Sequence, residues 1–254
     1  MSMTTSSINR RQMLTGAGTV ALLGIAGCSS TSGRSSADLF TPLPTLDVAP
    51  MQPEAFGTFA PEVIYAAVED NGIMIPAVPW KKVPQRFHRQ MVPNMTGELP
   101  GTLVVDTINH FVYYTQPDGM AMRYGVGLGR AGFEWSGRGY IERKAQWPKW
   151  HPPAEMIERE PKLKPYETIY DRDNDLWLGG MEGGLTNPLG ARALYIYQDG
   201  KDTLYRLHGS PEWNSIGNNV SSGCVRLMNQ DIIDLHARVS AKTEVIVTGG
   251  LPIA

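Results

Sequence analysis

Two residues in this chain have side chains and neighbours suited to covalent chemistry. Cys224 lies in the run Ser221-Ser222-Gly223-Cys224-Val225-Arg226, and His208-Gly209 precedes it by sixteen positions. A thiol attacks a carbonyl carbon as its thiolate, so it needs a base for its proton and donors for the oxyanion that forms. His208 can take the proton. Backbone N–H groups at Gly223 and Cys224 can face the oxyanion. Arg226 can bind a substrate carboxylate, or hold its own loop by pairing with backbone carbonyls. The chemistry implied is acyl transfer through a thioester. An activated Cys224 is expected to react with electrophiles near neutral pH faster than a free thiol of pKa ~8.5.

Those residues need a frame. Ala193–Tyr197 and Thr203–Leu207 flank Asp199-Gly200, the clearest hairpin in the chain. Strand alternation puts Leu204, Arg206 and His208 on one face, with His208 at the strand exit. Asn229 is suited to cap a helix reaching about Val239, since Ile232, Ile233, His236 and Val239 have helical spacing. Glu244–Thr248 reads as a closing strand. Upstream, Leu103–Val105, His110–Tyr114 and Met120–Val126 read as strands, the last two joined by Gln116-Pro117-Asp118-Gly119. His110 starts a strand and reads as a surface or pairing residue. Pro152 and Pro153 head a short helical stretch. With 27 Gly and 19 Pro and few long helical patterns, the fold class is mainly β.

Several other patterns do not hold up. Gly125-Val126-Gly127-Leu128-Gly129 suggests a dinucleotide loop, but no helical pattern follows it. Asp171, Asp173 and Asp175 resemble a calcium loop without its central Gly or closing Glu. His151 and Glu155 are one helical turn apart with no third ligand near, so no metal and no cofactor is expected. A formal net charge of −2 gives no basic excess for nucleic acid. Trp147, Pro148, Trp150, Pro152 and Pro153 can line a groove or form a satellite core. Arg192 can bind a carboxylate or pair within the fold.

The amino terminus reads as targeting. Residues 1–28 combine Arg10-Arg11 with a short apolar run ending Gly24-Ile25-Ala26-Gly27-Cys28. That fits an export signal, of twin-arginine or ordinary secretory type, with a lipoprotein cleavage box. Lipid on Cys28 would tether the protein to a membrane in the periplasm or cell envelope. Residues 29–60 read as a flexible linker and 61–100 as an irregular lead-in, since prolines at 76, 79, 84, 93 and 100 forbid a long helix. The main domain then spans 101–249.

The run from His208 to Asp231 resembles the L,D-transpeptidases of bacterial cell-wall synthesis, the YkuD-like catalytic domain. Their motif is His-Gly, about fifteen residues, then Ser-x-Gly-Cys-apolar-Arg. Ser222 departs from it where many relatives carry a second His. Asn187-Pro188-Leu189-Gly190-Ala191-Arg192-Ala193 also has a counterpart in family members, while Trp135-Ser136-Gly137-Arg138-Gly139 departs from the family's pattern. The resemblance implies a β-sandwich with short peripheral helices. It implies a catalytic Cys224 and His208, with the Gly209 carbonyl orienting the imidazole, and a substrate or oxyanion site at Ser221, Ser222, Gly223 and Arg226. The substrates implied are peptidoglycan stem peptides, with another stem or a protein lysine as acceptor. With water as acceptor the same residues give an L,D-carboxypeptidase or hydrolase. An inert wall-binding lipoprotein is the remaining alternative.

Overall fold

A computed structural model describes residues 59–129, 135–174, 176–221 and 223–251, without the side chains of Trp177, Val220 and Ser221. Residues 1–58, where an export signal, a lipidated Cys28 and a linker are expected, lie outside the described residues, as do Asp175 and Ser222.

A single helical turn, α1 (Pro61–Ile64), opens the described chain, with proline at its start where a missing N–H costs nothing. Strands β1 (Val68–Asp70) and β2 (Ile73–Ile75) pair around Asn71-Gly72, both at positive φ as a tight hairpin turn requires. Then come β3 (Gln90–Pro93), β4 (Leu103–Asp106), β5 (Phe111–Thr115), β6 (Met120–Gly125), β7 (Leu128–Gly129) and β8 (Gly137–Gln146). Helix α2 (Ala154–Arg159) follows Pro152-Pro153, and the hairpin β9 (Ile169–Asp171) and β10 (Leu176–Leu178) follows that. The chain continues through β11 (Arg192–Gln198), β12 (Lys201–Ser210), β13 (Asn219–Ser221), β14 (Val225–Met228), α3 (Asn229–Arg238) and β15 (Glu244–Thr248). The fold is mainly β with short helices.

Nine strands form one sheet in the order β14-β12-β11-β8-β15-β4-β5-β6-β3. The pairs β12–β14 and β15–β4 are parallel. Leu103, Val105, Val112 and Met122 from one half share a buried cluster with Leu194, Ile196, Leu207 and Val225 from the other. The sheet therefore folds over so that both halves face one core, as the layers of a sandwich do. Ile232, Leu235 and Val239 of α3 complete that core.

Strand alternation sends Val104, Phe111, Tyr113 and Ala121 to the opposite face of β4–β6. There they meet Tyr65, Val78, Val83 and Phe87 of the lead-in. Residues 61–100 are thus more ordered than their prolines suggested. Pro61 and Pro84 stand at the heads of short turns, and Pro93 ends an edge strand where no ladder hydrogen bond is lost. The lead-in is fastened by polar contacts as well. Arg192 pairs with Asp70 at 2.7 Å through both terminal nitrogens, so this arginine serves the fold. Tyr65 donates to Asp231 at 3.2 Å, and Arg89 lies 3.1 Å from Asp234.

Two sequence expectations are corrected. Asn229 does not cap α3; Met228 occupies that position, and the Asn229 side-chain oxygen accepts from the backbone N–H of Ala191 instead. Leu204 does not continue the alternation of Arg206 and His208. The register against β11 shifts between Tyr195 and Tyr197, and Leu204 sits there at φ 64°, 70% exposed.

Candidate active site

Four neighbouring strands build a polar face opposite the core. Ala145 of β8 pairs with Ala193 of β11, Ala193 with His208 of β12, and His208 with Arg226 of β14. One row away, Arg143 pairs with Tyr195 and Tyr195 with Arg206. Between the rows, Leu194, Leu207 and Val225 point into the core. Cys224 immediately precedes Val225, the partner of Leu207, so it comes level with Arg206. A backbone hydrogen bond from Arg206 reaches its thiol. Paired residues share a face, so continuing the β14 alternation one residue back sets Cys224, just ahead of the strand, diagonal to His208 on the same side of the sheet.

His208 is buried, and its Nδ1 lies 2.6 Å from the carbonyl oxygen of Gly209. A carbonyl only accepts, so Nδ1 carries the proton and Nε2 keeps its lone pair. Burial pushes the imidazole pKa down to about 4, against the carbonyls of Gly209 and Pro188, which favour a charged ring, and with the repulsion of Arg226 and Arg206. Burial likewise pushes the Cys224 thiol above its ordinary range, although Arg206 and Arg226 oppose the shift. Both shifts favour the neutral forms, thiol and imidazole.

Gly209 has a further constraint. A Cβ built on it would stand 2.4 Å from the Asn229 side-chain oxygen, and one on Gly190 would stand 2.3 Å from the same atom. The Asn229 amide is wedged between the two glycines and fixes the backbone that carries the His208 acceptor. Gly223 adopts φ 126°, a conformation L side chains rarely take. Ser221 pairs with Gly129 through the short β13–β7 ladder. Arg226 bonds Gly127 through its backbone in both directions, and its guanidinium meets Glu212 at 2.6 Å. Its partner within the fold is a carboxylate, where backbone carbonyls were expected. His110 faces Asn219 at 3.0 Å, tying the β4–β5 turn to the start of β13, ahead of Cys224.

Sequence reading missed Arg206, Tyr195 and Asn229 as neighbours of the site. Arg206 was within reach, two residues before His208 on one strand. Tyr195 and Asn229 were not, because their positions depend on register and on a close approach of glycines. His151 bonds Thr168 at 2.8 Å, and Asp171 caps the turn at Asp173 and Asn174. Among the described residues no three His, Cys, Asp or Glu side chains gather closely enough to hold a metal.

A family model described as the L,D-transpeptidase catalytic domain, YkuD, matches residues 100–247. The chain is similar to Probable L,D-transpeptidase ErfK/SrfK of Escherichia coli K12, 32% identical over 147 residues, which is 56% of this chain and 42% of that protein. It is similar to Probable L,D-transpeptidase YbiS of the same organism, 29% identical over 168 residues, 64% of this chain and 47% of that protein. The matched region thus spans less than half the length of these curated relatives. Among solved structures, one described as a probable carnitine operon oxidoreductase from Brucella melitensis is 39% identical. That match covers 67% of this chain and 99% of that one, with a TM-score of 0.43. Here the glycine-rich run after Gly125 joins β6 to β7, two strands, where a dinucleotide site joins a strand to a helix.

Proposed function

The chain belongs to the L,D-transpeptidase catalytic-domain family, and from that premise we propose that it is a cysteine acyltransferase acting on peptidoglycan stem peptides. The observation that carries the reading is the β12–β14 register. It pairs His208, held through Gly209, with Arg226 two residues past Cys224, which supports a shared face for the thiol and the imidazole.

The steps start from the neutral forms of both groups. As the Cys224 sulfur attacks the carbonyl of the third stem residue, its proton passes to Nε2 of His208. Backbone N–H groups at Gly223 and Cys224 hold the oxyanion, an arrangement that contributes about 3 kcal/mol in comparable sites. Collapse breaks the peptide bond, and the imidazolium protonates the departing amine of terminal D-alanine. An acceptor amine then attacks the thioester and gives its proton to His208. The thiol reforms and a new amide is left. With another stem as acceptor the product is a 3-3 cross-link; with a protein lysine it is an anchored protein. The export-signal pattern of residues 1–28 and the lipoprotein box ending at Cys28 support a periplasmic, lipid-tethered setting for this reaction.

Defined tetrapeptide, with and without acceptor amine, tests the reading. Transfer gives a dimer or an exchanged terminal residue, whereas tripeptide alone means hydrolysis. A carbapenem should leave a mass adduct on the native chain and none on Cys224→Ala. The pH dependence is a second check. With His208 pushed down to about 4, the base stays neutral in mildly acidic solution. The acid limb of kcat/KM should therefore fall near pH 4–5, roughly two units below that of an ordinary imidazole. A limb near 6.5 would mean that another group is the base.

A further inference from the structure

We infer that Arg206 forms an anion-binding site beside Cys224, which takes the terminal carboxylate of the donor peptide.

Arg143, Arg206 and Arg226 lie on this face and Arg192 on the opposite one; Arg143 stands on β8, three strands away from Cys224 in the sheet order. Arg192 is bound at both terminal nitrogens by Asp70. Arg226 is bound by Glu212. Arg206 enters no ion pair among the described residues. Its side chain is partly exposed, and one terminal nitrogen donates to the carbonyl of Leu204 at 3.2 Å. Its guanidinium lies 5.2 Å from the centre of the Tyr195 ring, whose other neighbour is Arg143 at 3.8 Å. A planar cation resting on an aromatic face loses less freedom when it binds a planar anion. The register shift at Leu204 displaces the strand just before Arg206 and leaves it at the end of the regular ladder, level with the sulfur.

Its charge is felt at both candidate catalytic groups, where it favours the thiolate of Cys224 and disfavours a charged His208. Asp202 is the acid that acts on Cys224 in the opposite sense. It is occupied by the Leu204 N–H at 2.8 Å.

The identity of the anion rests on the acyl-transfer reading. A donor cut next to its last residue carries a free carboxylate one residue beyond the scissile carbonyl. A cation beside the sulfur is placed to meet it.

The test separates the site from the enzyme reading. Iodoacetate and iodoacetamide alkylate a thiolate by the same displacement of iodide and differ in charge. Their rate ratio at one thiol cancels the fraction ionised. In the full chain, with modification read on the Cys224 peptide, Arg206→Gln should lower the iodoacetate-to-iodoacetamide ratio about tenfold. Arg206→Lys should keep most of the ratio, and Arg226→Gln should change it less. An equal ratio in native protein and Arg206→Gln overturns the site. In the second arm, tetrapeptide donors end in carboxylate or carboxamide. Arg206→Gln should raise KM for the acid about tenfold more than for the amide. Equal losses on both donors overturn carboxylate recognition and leave the acyltransferase reading standing. A shifted alkylation ratio in a protein that turns over neither donor keeps the anion site and removes the enzyme.

Discussion

The two halves of the nine-stranded sheet are buried in opposite ways. Strands β4–β6 are covered on both faces, by the shared core on one and by the lead-in on the other. Strands β8, β11, β12 and β14 send one row, with Leu194, Ile196, Leu207, Val225 and Leu227, into the shared core. Their other face carries Arg143, Tyr195, Arg206, His208 and Arg226, with Cys224 at the rim. One half uses both sets of alternating side chains for cohesion. The other gives one set to cohesion and leaves one for chemistry. This division explains why a buried His208 is tolerable. It is kept neutral by burial and held by a neighbouring carbonyl, so no unpaired charge is left in the interior.

The sharpest way to break this comparison is to substitute one residue in each half. Cys224→Ala should remove acyl transfer by at least ~10³-fold and leave the thermal midpoint nearly unchanged, because the residue belongs to the chemical face. Tyr65→Ala, in the covered half, should do the reverse. The ring is fully buried, so its loss should cost about 3–5 kcal/mol in a urea melt while kcat per folded molecule holds. If Tyr65→Ala lowers kcat as much as it lowers stability, the two halves are not separate in function.

The chemical face was legible because its parts are close in sequence. His208, Gly209, Gly223, Cys224 and Arg226 fall within one stretch, and the Asp199-Gly200 hairpin that aims them is a local signal. The covered half was not legible. Tyr65 meets Asp231 across 166 positions and Asp70 meets Arg192 across 122, and no local pattern announces either contact. The lead-in's strands have three or four residues, too short for alternation to show. Asn229 looked like a cap because its residue type suits one. A tertiary partner, the Ala191 N–H, took its side chain instead. Leu204 misled the face count because a bulge is invisible to simple alternation.

The seam between lead-in and α3 gives a prediction that sharpens the contrast through pH. Burial pushes the Asp231 carboxyl up to about 7, although Arg89, 3.8 Å away, and the Tyr65 hydroxyl pull it down; Asp234 adds to the rise. An unfolded Asp titrates near ~3.9. Between those values the folded chain holds a proton that the unfolded chain has released. The contribution of Asp231 is therefore full below about pH 4 and is lost as pH rises through about 7. Asp234 and Asp70 shift the other way, so the useful quantity is a difference. Native protein minus Asp231→Asn, in denaturant melts from pH 4 to 8, should fall with rising pH. A flat difference would show that Arg89 keeps the carboxylate ionised throughout.

The smallest expected effect lies where the halves share a residue. Asn229 begins α3, yet its amide holds Ala191 and presses on Gly190 and Gly209. Asn229→Ala leaves the buried Ala191 N–H without an acceptor, a loss of about 1–3 kcal/mol. If packing were its whole role, kcat per folded molecule and the pH limb of His208 would both stay in place. The wedge instead fixes the backbone that offers His208 its acceptor, so loosening it should let the imidazole turn. kcat should fall a few-fold beyond what stability explains. The acid limb should shift as the ring gains solvent, and Asn229→Asp, which keeps the acceptor oxygen, should restore part of both. Loss of stability alone, with an unmoved limb, would return Asn229 to the cohesive half of the molecule.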